Sequence, residues 1–193
     1  MRPLPATPKP SMLIPGRRRT LALAAVGCTA LTACGGSSAP KGPIATRVCQ
    51  SGAKAMRSLV GPAKIRVADA DPTNIECVLS GDGIRLDVVA QASPRAWTQY
   101  DTLVVHAAQA FVPGSAKSNL PVDLPGLGFN AAWVAAKSQL LATNGTQSTG
   151  GSFLSIMVSG HARTKSGLEV AKRVATATLA LAPRGPSPGP APS

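Results

Sequence analysis

Fourteen consecutive small and apolar residues, Thr20 to Ala33, follow three arginines, Arg17, Arg18 and Arg19. This run constrains the chain most, because it decides how much of the sequence is left to fold. A bilayer-spanning helix needs about 20 apolar residues, so the run is too short to cross a membrane in the finished protein. A basic flank, a short apolar stretch and a small-residue exit describe a secretory signal peptide, which is removed. Residues 1–33 then take no part in the fold, and 160 residues must build it. The arginines read as a plain positive flank rather than a twin-arginine signal, since no aromatic residue follows them at the expected spacing. Met12 would give the leader a more ordinary length than Met1.

The exit reads Leu31-Thr32-Ala33-Cys34. It resembles the lipobox of bacterial lipoproteins: an aliphatic residue, two small ones, then cysteine. The resemblance implies cleavage before Cys34, attachment of a diacylglyceryl group (palmitate or a similar acyl chain) to its thiol, and display on the outer face of the cytoplasmic membrane. Ala25-Val26-Gly27-Cys28 offers a competing match. Cleavage there leaves an apolar segment of eight residues, near the lower end of the usual range of about 7–15. Cys28 is also followed by more apolar chain, whereas Gly35-Gly36-Ser37-Ser38 makes a polar tether after Cys34. With Cys28 in the leader and Cys34 acylated, Cys49 and Cys77 remain. In an exported, oxidising setting two leftover cysteines read as a disulfide; the alternative is a pair of buried free thiols. A bridge closing 28 residues stabilises by roughly 3.5 kcal/mol in the chain-entropy model.

Loss of Arg2, Lys9, Arg17, Arg18 and Arg19 leaves fifteen basic residues against eight acids, a net charge of +7 in place of +12. Close to an anionic bilayer each Lys or Arg contributes about 1 kcal/mol of attraction. Nucleic acid is the other common partner of basic chains, but aromatics make up 3% of this one and no basic–aromatic run appears, so none is expected.

Residues 34–44 form a Gly/Ser/Ala/Pro tether, and the closing "PRGPSPGPAPS" (183–193) is a proline-rich tail that cannot bury apolar surface. The folded part is therefore 45–182, enough for one domain. Cys49, Ala53, Met56 and Val60 fall on one helical face, with Thr46 as cap and Gly61-Pro62 as stop. "KIRVA" (64–68), "NIECVLS" (74–80) and "IRLDVVAQ" (84–91) read as strands, the last two joined through Gly81-Asp82-Gly83. Ser93-Pro94 opens a second helix lined by Trp97, Tyr100, Val104, Ala107 and Phe111. A loop rich in proline and glycine covers 112–128. Strands follow at 130–136, 139–143 and 152–159, then a helix over about 167–181 with a capping box at Ser166-x-x-Glu169. The order is α-βββ-α-βββ-α. Short connections favour an α+β fold, an antiparallel sheet with helices packed on it, in which the bridge staples the first helix to the second strand.

The early Cys49, Cys77 before a hairpin, "DLPGLGFNAAW" (123–133) and the alanine-rich last helix resemble small actinobacterial lipoproteins of an uncharacterised type, a domain of unknown function. More distantly, they are similar to the extracellular sensor domains of actinobacterial serine/threonine kinases. Arg47-Val48 before Cys49 departs from the acidic "DPC"-type start of that group. The resemblance implies an extracytoplasmic domain that binds an envelope ligand or partner protein and brings no catalytic residues with it.

The residues themselves offer little chemistry. Ser51-Gly52-Ala53-Lys54 is an S-x-x-K, and Lys165-Ser166-Gly167 a K-[ST]-G, as in penicillin-binding proteins and β-lactamases. The middle motif is missing, the folded region is too short for that fold, and the K-S-G opens a helix, so an exposed helical pair and a cap are the expected roles. A serine hydrolase of the envelope is the rival reading, and a purely structural envelope protein the third. Asp69 to Asn74 carries oxygen ligands, but Asn74 and Ser80 stand where a calcium loop needs glycine and glutamate; a turn is expected, and no metal. His106 and His161 have no ligand-spaced partner; one is expected partly buried and one in a loop. No cofactor is implied. Trp97, Tyr100, Phe129 and Trp133, more readily core than site, are where a small apolar ligand would be sought, beside the 112–128 loop.

Overall fold

The computed structural model describes residues 43–110 and 120–186. The leader, Cys28, Cys34 and the tether up to Gly42 lie outside the described residues, as do Phe111, residues 112–119 of the loop and residues 187–193 of the tail. Three helices and seven strands make one α+β domain: α1 (Pro43–Val60), β1 (Lys64–Ala70), β2 (Asn74–Gly81), β3 (Ile84–Ser93), α2 (Ala96–Gln109), β4 (Val122–Asp123), β5 (Asn130–Val134), β6 (Gln139–Thr143), β7 (Gly151–Gly160) and α3 (Gly167–Leu179). A 3-10 turn, Ala135–Lys137, links β5 to β6.

α1 buries Val48, Cys49, Ala53, Met56 and Val60, the stripe expected from the spacing. It starts three residues before Thr46 and stops where Gly61 takes a φ of +78°, a left-handed conformation suited to glycine, with its N–H on the Arg57 carbonyl. β2 and most of β3 alternate buried positions with half-buried or exposed ones and pair in antiparallel register from Asn74↔Gln91 to Gly81↔Ile84. Asp82 (φ +48°) and Gly83 (φ +79°) close that hairpin as the mirror-image turn whose twist matches the strands.

The sheet runs β1-β2-β3-β7-β6-β5-β4, every pair antiparallel. The two three-strand blocks meet through their last members, β3 and β7, paired from Ile84↔Gly160 to Ser93↔Gly151. Three details differ from expectation. A seventh strand, β4, comes from inside the presumed loop, because Val122 and Asp123 reach the free edge of β5 opposite Trp133 and Ala132. The Ser93 hydroxyl accepts the Arg95 N–H at 3.1 Å, so Ser93-Pro94 makes a turn and α2 begins only at Ala96. Past residue 182 the backbone stays attached: Pro183 O accepts from the Ser152 hydroxyl, and Gly185 N–H donates to Gly151 O at 2.9 Å.

α1 and α3 share one face of the sheet. Their core comprises Val48, Met56, Val170 and Val174 above Leu79, Leu86, Leu154 and Ile156. A Cβ on Gly52 would lie 3.0 Å from Thr178 Cγ2 and 3.1 Å from Leu79 Cδ1, so glycine sets how closely the helices approach. Gly52→Leu is expected to lower stability by about 1–3 kcal/mol through overpacking, checked by urea melts of variant and parent. Cys49 and Cys77 form the disulfide, Cα–Cα 5.8 Å, joining α1 to β2.

Candidate functional site

α2 lies alone on the other face, with Ala96, Tyr100 and Ala107 on Ala132, Val134, Leu141 and Phe153. It covers β5 to β7 and leaves the same face of β2 and β3 open, where Glu76, Val78, Asp87 and Val89 are half-buried. An ion pair, Arg85 Nη2 to Asp87 at 2.7 Å, lies there. Between the first turns of α2 and the ends of β3 and β7 runs a groove of about 470 Å³ lined by Gln91, Arg95, Gln99, Thr102, Leu103 and Phe153. An apolar floor with amide, hydroxyl and guanidinium groups at the rim is the composition of a small-molecule or peptide groove.

The four aromatics proposed from sequence do not share one pocket. Tyr100 is buried under α2. Trp97, also on α2, donates from Nε1 to the Asn130 side-chain oxygen at 3.2 Å, when that carboxamide is oriented to receive it. Trp133 packs on the opposite face against the α1/α3 core, because successive side chains of β5 alternate across the sheet. There it lines a separate depression of about 440 Å³ with His161, Lys165 and Leu168. Phe129 is 61% exposed. Burial first, then the charges of Asp123 and Asp101, raise the Tyr100 phenol above its ordinary value. Tyr100 is the single tyrosine, so absorbance at the phenolate band titrates it directly. Its midpoint is expected above the ordinary value of about 10. A raised folded-state value means that this contribution to stability is whole below the unfolded pKa and is lost as the pH rises through the folded one.

The S-x-x-K pair lies on the outer side of α1, beside α3. Ser51 Oγ donates to Ala177 O at 3.0 Å, and Lys54 is exposed. They line a cleft of about 260 Å³ with Ser58, Arg173 and Thr176, continuous through Ser58, Arg173 and Thr176 with a second of about 620 Å³ that adds Leu59, Glu169 and Lys172. Ser166 and Lys165 serve the start of α3: Ser166 Oγ accepts the Glu169 N–H at 3.2 Å and Lys165 pairs with Glu169 at 3.0 Å. The capping expected from Ser166-x-x-Glu169 is thus formed on the serine side.

Asp69 to Asn74 folds as a hydrogen-bonded turn. Asp71 Oδ1 accepts from the Thr73 N–H (2.8 Å) and hydroxyl, which hold its carboxyl below the usual range. Asn74 Nδ2 donates to Asp69 at 3.1 Å. Among the described residues no group of three or more His, Cys, Asp or Glu side chains is placed to hold a metal ion. His106 is exposed on α2, not half-buried as its neighbours led one to expect, because the buried stripe runs through Tyr100, Leu103, Val104 and Ala107. His161 is also exposed, its N–H on Gly83 O at 3.2 Å.

Sequence reasoning passed over the charge on the α1/α3 layer. Arg47, Lys54 and Arg57 on α1 and Lys172 and Arg173 on α3 are all exposed. The signal was present: the cations of α1 fall between the buried positions of its stripe. The acid of that layer is Glu169, already paired. Comparison with protein-family models, with curated proteins and with solved structures finds no match.

Proposed function

We propose that this chain is a lipoprotein anchored through Cys34 to the outer face of the cytoplasmic membrane, and that its α+β domain is a non-catalytic binding module of the cell envelope. The observation that carries the reading is the use of cysteine. Beyond Leu31-Thr32-Ala33-Cys34 just two cysteines follow, and these two are joined to each other, as suits an oxidising compartment. Among the described residues no helix is long and apolar enough to cross a membrane. The Ser51 hydroxyl is engaged by the Ala177 carbonyl, 3.0 Å away, which supports a packing role over a nucleophilic one. The α2 groove is the binding surface we assign, for a ligand with an apolar body and polar ends.

Mass spectrometry of protein taken from membranes of the producing cell is expected to find an amino-terminal diacylglyceryl-Cys34. Cys34→Ser should shift the protein from the membrane fraction to the soluble one. A membrane-free parent, or an unmodified leader still attached, overturns the anchor. Fluorescent β-lactam labelling abolished by Ser51→Ala would overturn the non-catalytic half.

A further inference from the structure

We propose that the outer surface of the α1/α3 layer is a docking face for anionic phospholipid headgroups and that the domain lies on the bilayer through it. Charge is segregated between the two sides of the molecule. The α1/α3 layer presents Arg47, Lys54, Arg57, Lys172 and Arg173 as exposed cations, and its one acid, Glu169, is neutralised by Lys165. Arg47, Lys54, Lys172 and Arg173 enter no ion pair among the described residues. On the opposite side cations and acids are mixed: Lys64 and Arg66 on β1, Arg85 and Arg95, against Glu76, Asp87 and Asp101.

The helix pair also has a direction. Ser51 meets Ala177, while Ser58 lies beside Glu169 and Lys172, so the helices run antiparallel and the start of α1 lies level with the end of α3. At that shared end stand two exposed aliphatic side chains, Ile44 (41% exposed) and Leu181 (43%). Aliphatic groups beside a basic surface are the composition of an interfacial membrane contact. The same end is where the chain arrives from Cys34. The ten residues from Cys34 to Pro43 span at most about 32 Å. This inference rests on the anchor proposed above only for that proximity; the charge segregation stands without it.

The test uses the unacylated chain from Cys34 onward, with Cys34→Ser, so that its outcome is independent of lipid attachment. It is sedimented with phosphatidylcholine vesicles and with vesicles containing about 30% phosphatidylglycerol. Binding is expected only to the anionic vesicles and should weaken steeply with salt. The quadruple variant Arg47→Gln, Lys54→Gln, Lys172→Gln, Arg173→Gln keeps good helix formers at exposed positions. It should lower the partition coefficient by about two orders of magnitude or more. A control with the same change of net charge on the opposite side, Lys64→Gln, Arg66→Gln, Arg85→Gln, Arg95→Gln, should lower it several-fold less. Equal losses in the two variants, or no binding to anionic vesicles, overturn the proposal. So does retention on a soluble phosphate-bearing polyanion without vesicle binding, since the face would then read a wall polymer. Melting curves confirm that both variants stay folded.

Discussion

Replacing both Cys49 and Cys77 by alanine is expected to lower the unfolding free energy by about 3–4 kcal/mol. The bridge closes 28 residues, and opening that loop returns its conformational freedom to the unfolded chain. The location adds to the effect. Cys49 and Cys77 are 1% and 2% exposed, and the bond ties the middle of α1 to a strand next to the edge of the sheet. Their Cα separation of 5.8 Å lies inside the ordinary range of about 4.4–6.8 Å, so the native geometry opposes little of the gain. Truncation to alanine also removes two buried sulfurs without inserting polar groups. The check is a urea titration of parent and double variant, with the parent repeated in reductant. Reductant should bring the parent close to the variant. A parent indifferent to reductant, or a loss below about 1 kcal/mol, would mean that the bridge does not restrain this fold.

Leu154→Ala should cost about as much, roughly 3–4 kcal/mol, for a different reason. Leu154 is fully buried on β7, at the centre of the sheet. Its cross-strand neighbours are Ala90 on β3 and Ala142 on β6. One large side chain between two small ones fills the space beneath the helices. Truncation leaves three alanines in a row, and neither flanking side chain is long enough to reach into the cavity. Leu154→Met, close to Leu in volume, should cost less than about 1.5 kcal/mol. Comparable losses from both variants would place the sensitivity in backbone pairing and remove the cavity argument.

Much of the fold was legible in local pattern. The apolar stripe of α1, the Asp82-Gly83 turn, the alternation in β2 and β3 and the Ser166 cap of α3 depend on residues a few positions apart, and all appear in the structure. The Cys49–Cys77 bridge, expected from parity and an exported setting, is present. The ends of elements were less so. Ser93-Pro94 has the form of a helix start, yet Ser93 bonds to the Arg95 N–H and the helix opens later. β4 has no pattern of its own in two residues and exists because β5 leaves an edge beside it.

Short-range periodicity along the chain carries the α+β class and the helix and hairpin signals. Tertiary structure alone decided which side of the sheet each helix takes. Trp133 and Tyr100, both aromatic and both candidates for one apolar site, lie on opposite faces of the sheet. Likewise the Ser51 hydroxyl, expected to stand exposed on α1, donates to the Ala177 carbonyl of α3, a partner 126 residues away in the chain. Cations separated by more than a hundred residues, Lys54 and Arg173, line one cleft because α1 and α3 pack antiparallel. Local sequence sets the spacing of side chains along one element; which elements face each other depends on closing the sheet and burying both of its sides, and no stretch of a few residues encodes that.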